Sequence, residues 1–218
     1  MIKKIIFDLD GTLLFISDEW IDGYQKFIDK YNLSITPNEL YVCIGDFEKD
    51  INNVIVNNKL MCEYINSKLD VNITESMFKE LLEIYKDIPL LYTEVVYDVL
   101  NYLYNKYEII SYTNWYTQNQ IDRLKKNNLD KFFSKIYGWD KVQIKPSREA
   151  INKIIENDDI KEYVMIGDNI ALDLEVPYSM GMNTIFLNTK NVEQNKFKQI
   201  QKIEELKEIL QKNQLALI

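Results

Sequence analysis

The stretch that decides the fold is Lys3-Lys4-Ile5-Ile6-Phe7-Asp8-Leu9-Asp10-Gly11-Thr12-Leu13. Lys3 to Phe7 is a short run rich in β-branched and aromatic residues, closed by Asp and Gly, and it reads as a buried strand running into a tight turn. Two carboxylates, Asp8 and Asp10, stand where that strand ends. Further along, residues 108–112, 135–139, 163–166 and 183–187 are strand-like, and residues 118–127 and 146–157 between them are helix-like. Strands alternating with helices predict an α/β fold: a doubly wound, mainly parallel, Rossmann-like sheet covered on both faces.

One block breaks the alternation. From about residue 17 to residue 88 the pattern is helical throughout. Trp20, Tyr24, Phe27, Ile28 and Tyr31 recur at helical spacing on one apolar face, as do Phe78, Leu81, Leu82 and Tyr85 after Thr74. Thr36-Pro37-Asn38-Glu39 is a capping box with Pro at the first helical position, so a helix starts there. Pro89 ends the block, and a helix with Val96, Val99, Leu100 and Leu103 on one face follows. The expected organisation is an α/β core of residues 1–15 and 89–218 carrying an all-α cap of residues 16–88. Ile203, Leu206, Ile209 and Leu210 line a final amphipathic helix, with Glu208 and Lys212 as a surface pair four residues apart.

Composition narrows the chemistry. A chain of 218 residues can bury a core that is stable without metals or disulfides, so a metal here is expected to be catalytic rather than structural. The net charge of −8, from 34 acidic and 26 basic residues, has no dense Lys/Arg stripe to offset it and argues against a nucleic-acid partner. Cys43 and Cys62 do not make a disulfide framework and read as reduced, small buried hydrophobes. Asp8 and Asp10 interrupt the apolar start before it reaches signal-peptide length, and no stretch approaches the roughly 18 apolar residues of a membrane span. A cytoplasmic monomer without membrane contact is the expectation. Histidine is absent. Ser-His-Asp chemistry and imidazole-bound zinc are therefore excluded, and acid/base work falls to carboxylates, Lys, Cys or Tyr.

In an open parallel sheet, ligands sit beyond the carboxyl ends of the strands. There this sequence places Asp8 and Asp10, then Thr113-Asn114, then Lys145-Pro146 in the loop after the third strand, then Gly167-Asp168. These are the residue kinds that phosphate chemistry needs. Asp8 and Asp168 can supply oxygen ligands to Mg2+, which separates a nucleophilic carboxylate from a phosphate dianion. Lys145 can neutralise further charge, the Thr113 hydroxyl can donate to a phosphoryl oxygen, and Asn114 beside it is expected to bind phosphate with them. Asp8 is then free to attack phosphorus and form an aspartyl-phosphate. Asp10, two residues on where the chain turns at Gly11, can protonate the leaving oxygen and then deprotonate a water. Phe15 and Trp115, in loops near these strand ends, are candidates for touching a small phosphorylated substrate.

This set resembles the haloacid dehalogenase-like hydrolase superfamily. Asp8 through Leu13 match its first motif, Thr113 its second, Lys145-Pro146 its third, and Gly167-Asp168 with Asp173 its fourth; Gly181-Met182-Asn183-Thr184 looks like the segment leading to the family's next strand. The resemblance covers nearly the whole chain, the helical insert matching the cap found between motifs one and two. It implies that Asp8 is nucleophile and metal ligand and that Asp10 is acid/base, its backbone carbonyl also binding the metal. It further implies that Thr113 and Lys145 hold the phosphoryl group, that Asp168 binds Mg2+, and that Asp173 supports the metal or Lys145. Family members that cleave carbon–halogen bonds lack the second Asp of motif one, so Asp10 favours phosphoryl chemistry. The segments around motifs two to four look most like the nucleotidase and phosphoglycolate phosphatase branch.

The expected activity is thus Mg2+-dependent hydrolysis of a small phosphomonoester. One alternative is a sugar phosphomutase, disfavoured because those relatives use a cap histidine where this chain reads Glu19-Trp20-Ile21. Another is a phosphorylatable receiver-like signalling domain, in which Lys would follow the other motifs; here Lys145 precedes Asp168.

Overall fold

A computed structural model describes residues 1–211. Lys212, one half of the expected surface pair, lies outside them, as does the end of the 89–218 span. Strand β1 (Lys4–Phe7) is central in a six-stranded sheet. The others are β4 (Glu108–Thr113), β5 (Lys135–Gly138), β6 (Tyr163–Gly167), β7 (Asn183–Leu187) and β8 (Lys198–Ile200), in the order β5-β4-β1-β6-β7-β8. Every pairing in it is parallel. Alternate side chains of β1 leave on opposite faces and both faces are covered. Ile5 and Phe7 pack with Val96, Val99, Leu100 and Leu103 of α5 (Thr93–Tyr104). Ile6 packs with Ala150, Ile151 and Ile154 of α7 (Arg148–Ile155). The chain winds from β1 through β4 to β5, then returns to β6 on the other side of β1. That reversal opens the crevice in which doubly wound folds bind ligands.

Several local details differ from the sequence expectation. The α7 helix starts at Arg148 rather than Pro146, because the Ser147 side chain caps it by accepting from the Ala150 amide at 3.2 Å. Strand β8 and an antiparallel ribbon of β2 (Phe15–Ile16) with β3 (Leu90–Leu91) have no counterpart in the expected elements. Runs of two or three residues are too short to show a period. The stretch between β2 and β3 is helical as expected and holds four helices, α1 (Trp20–Tyr31), α2 (Pro37–Asp50), α3 (Asn58–Leu69) and α4 (Glu75–Asp87), of which only α3 was not singled out in the sequence. The capping box at α2 is complete: Glu39 N–H donates to Thr36 Oγ1 at 3.2 Å, and Thr36 N–H to Glu39 Oε2 at 2.7 Å.

The four helices bury Tyr24, Phe27, Leu40, Phe47, Met61, Ile65, Phe78 and Leu81 against one another, but their apolar cluster does not close on itself. Trp115, Tyr116, Trp139 and Ile144, which follow β4 and β5, complete it. Backbone bonds join the same surfaces: Val56 N–H to Trp139 O at 2.7 Å and Ile144 N–H to Val54 O at 2.8 Å. The helical layer is therefore docked on the sheet's carboxyl end by apolar burial and main-chain pairing. Cys43 and Cys62 are buried, unbonded thiols in this layer, each pushed up to about 11 by burial. Among the described residues no helix is long and apolar enough to cross a membrane.

Candidate active site

The loop after β1 is shaped by its own backbone. The Leu9 carbonyl accepts from the amides of Thr12, Leu13 and Leu14 at 3.1, 2.8 and 2.8 Å. Gly11 holds a positive φ of 87°, and a Cβ there would lie 2.8 Å from Asp168 Oδ2. Glycine is needed both for the turn and for the approach of the Asp168 carboxylate.

Asp8 is only 5% exposed. One of its oxygens accepts from Lys145 Nζ at 2.6 Å and the other from the Thr12 hydroxyl at 3.0 Å. Lys145, 2% exposed, donates also to Asp173 Oδ1 at 2.7 Å, and Asp173 Oδ2 accepts from the Asn169 amide at 3.0 Å. Asp8, Asp168 and Asp173 each offer an oxygen within 4.8 Å of the others. Burial pushes Asp8 up to about 7 against the pull of Lys145, with Asp173 adding to the rise. Burial, followed by the Asp8 charge, pushes Asp168 up to about 6, and burial raises Asp173 as well. For Lys145 burial works against the charge, but Asp173 and Asp8 outweigh it and the ammonium is held protonated. Three carboxylates thus crowd one buried cation, and Lys190 reaches only 3.9 Å from Asp168. An all-oxygen donor set with surplus negative charge, and a glycine leaving room beside Asp168, fits a hard divalent cation.

Thr113 ends β4, is buried, and its hydroxyl accepts from Gln120 Nε2 at 3.1 Å. Asn114 braces Lys145 rather than standing free. Its Oδ1 accepts from the Lys145 amide at 2.8 Å, and its Nδ2 donates to Glu48 Oε2 of α2 at 3.0 Å. Asp10 stands apart from the carboxylate trio in its side-chain contacts. It accepts from Tyr85 of α4 at 3.1 Å, and from Gln120 at 2.5 Å and Arg123 at 2.7 Å, both on α6 (Thr117–Lys126).

Both aromatic candidates pack among apolar neighbours. Trp115 is buried, donates its indole N–H to Asn119 at 2.7 Å, and packs between Tyr85 and Trp139. An indole next to an apolar helical layer gains free energy from burial there. Phe15 lies in β2, half-buried against the sheet's core, with its ring edge-on to Tyr92 at 5.9 Å. Sequence reasoning missed Glu48, Tyr85, Gln120 and Arg123. A signal existed for two of them. In residues 118–127 the only aliphatic side chains are Ile121 and Leu124, so the inward face of that helix had to include polar groups; Asn119, Gln120 and Arg123 are buried there, the last two at i, i+3.

The order of strands and the placing of these carboxylates define a class, the doubly wound α/β proteins with a polar site at the end of a central parallel strand. Residues 5–187 match the family model described as haloacid dehalogenase-like hydrolase, and the chain belongs to that family. No curated protein sequence matches it. Among solved structures it is similar to the putative HAD-hydrolase YfnB from Bacillus subtilis bound to magnesium, at 18% identity and TM-score 0.80, over 96% of this chain and 99% of that one. It is also similar to a predicted phosphoglycolate phosphatase from Haemophilus somnus (19%, TM-score 0.68, 96% and 98%). A 2-haloacid dehalogenase from Pseudomonas syringae shares the fold too (16%, TM-score 0.69, 97% and 99%).

Proposed function

We infer that the chain is a Mg2+-dependent phosphatase that hydrolyses a small phosphomonoester through an aspartyl-phosphate on Asp8. The observation that carries this reading is the trio of Asp8, Asp168 and Asp173 around Lys145 at the end of β1, with a further carboxylate, Asp10, on the adjoining turn. The dehalogenase alternative needs no cation and gives that excess of buried carboxylate no purpose.

Asp8 and Asp168 are the residues that would hold Mg2+, with the Asp10 backbone carbonyl. When bound, the ion offsets the charge between a carboxylate nucleophile and a phosphate dianion. An Asp8 oxygen attacks phosphorus, the bond to the ester oxygen breaks, and that oxygen leaves with a proton from Asp10. In the second step a water gives a proton to Asp10, its oxygen attacks phosphorus, and the bond to Asp8 breaks to release phosphate. Lys145 and the Thr113 hydroxyl bind phosphoryl oxygens, and Asn114 holds Lys145 in place. In this reading residues 16–88 act as a cap over residues 1–15 and 89–218, excluding water while the ester is bound.

Hydrolysis of p-nitrophenyl phosphate with Mg2+, comparing the wild-type chain with Asp8→Asn, tests this. The variant should fall to background. Equal rates would remove Asp8 as nucleophile.

A further inference from the structure

We propose that Arg123, acting with Gln120 and Tyr85, is the positioning residue that aims the Asp10 carboxylate at the ester's leaving oxygen. The inference rests on the acid/base role given to Asp10 above and adds what holds that group in place.

Arg123 is 1% exposed, yet its guanidinium fork uses only part of its five N–H donors. Its NH1 donates to Asp10 Oδ1 at 2.7 Å and to Gln120 Oε1 at 2.8 Å, while Nε and NH2 have no hydrogen-bond partner among the described residues. Its guanidinium carbon lies 4.4 Å from the centre of the Tyr85 ring, and the Tyr85 hydroxyl donates to the same Asp10 oxygen. Gln120 takes the other oxygen and also donates to Thr113. A buried charge with unsatisfied donors is costly, so its contact with Asp10 is the reason for its place. Both Asp10 oxygens are thereby fixed on the side facing α6 and α4, yet the side chain remains a third exposed and open to a reacting group. An aspartate on a turn otherwise rotates freely about two bonds, and such misplacement lowers rates steeply.

The test is leaving-group dependence. An acid that protonates the departing oxygen matters more for phenyl phosphate than for p-nitrophenyl phosphate, whose leaving group is stable as an anion. In Arg123→Gln, kcat/KM for phenyl phosphate should fall about 100-fold and for p-nitrophenyl phosphate under about fivefold, the low end of what general acid catalysis supplies. Arg123→Lys should recover part of the difference, and Asp10→Asn should reproduce the whole of it. Tyr85→Phe, which keeps the ring beneath the guanidinium and loses one bond to Asp10, should give a smaller split and serves if Arg123→Gln does not fold. A split in Asp10→Asn with equal falls on both esters in the Arg123 and Tyr85 variants overturns the inference and leaves the phosphatase reading standing. No split in Asp10→Asn overturns the inference together with the acid role of Asp10.

Discussion

Replacing Lys145 with Met removes the one ammonium among the described residues that touches both Asp8 and Asp173. Its Nζ is 2.6 and 2.7 Å from their oxygens, and all three side chains are almost wholly buried. At an effective dielectric constant of about 20, each contact corresponds to roughly 6 kcal/mol of gross attraction. Desolvation of three ions cancels most of that. What truncation exposes is the cost of leaving carboxylates buried and unpaired, about 3–5 kcal/mol. Asp8 and Asp173 are already pushed up by burial and can take up protons once the ammonium is gone, which places the expected loss near about 3 kcal/mol. The assay is urea unfolding at neutral pH in EDTA, where the midpoint should fall with the slope unchanged. Asp173→Asn in the Lys145→Met background should recover at least about 1 kcal/mol, the non-additivity expected of side chains in one network. A loss under about 1 kcal/mol, or strict additivity of the two substitutions, would refute the reasoning that Lys145 is held by this pair of charges.

Two further outcomes follow from the site. Glu48 is pushed up by burial, which outweighs its hydrogen bond from Asn114 and the attraction of Lys145. The folded chain therefore holds this proton more tightly than the unfolded one, and wild-type stability is lost as pH rises through the folded pKa of Glu48. Glu48→Gln should match wild type near about pH 4 in thermal unfolding and exceed it at neutral pH; a difference that shrinks with pH contradicts the burial account. Gly11→Ala would put a methyl group 2.8 Å from Asp168 Oδ2 at a φ of 87°. It should weaken the apparent Mg2+ affinity, read from the metal dependence of activity, by about 10- to 100-fold, as loss of support around a metal ligand does; an unchanged metal dependence would separate Asp168 from the metal.

The α/β fold and the strand-end carboxylates were legible because they depend on local properties. Ile5-Ile6-Phe7 reads as a strand buried on both faces, and Asp8 and Asp10 follow it at a turn that Gly11 alone permits, all within one short stretch. Thr113 and Asp168 stand at strand ends in the same way, and Lys145 lies in the loop after β5. Thr36 to Glu39 specified a helix start by chemistry confined to four residues.

What surrounds those residues was decided only by packing. Tyr85 and Asp10 are 75 positions apart, and Arg123 and Asp10 are 113 apart, so no local pattern links them. They meet because α4 docks on α6 and both lie over the turn after β1. Trp115 went the same way: two residues after Thr113 in sequence, it turns into the apolar layer because Tyr85, Tyr116 and Trp139 offer it cover there. The sequence by itself determined which groups can do chemistry, since strand ends and tight turns are short-range features. The tertiary structure decided which of them are held, buried or paired, since desolvation and ion pairing depend on neighbours that only the folded chain brings together.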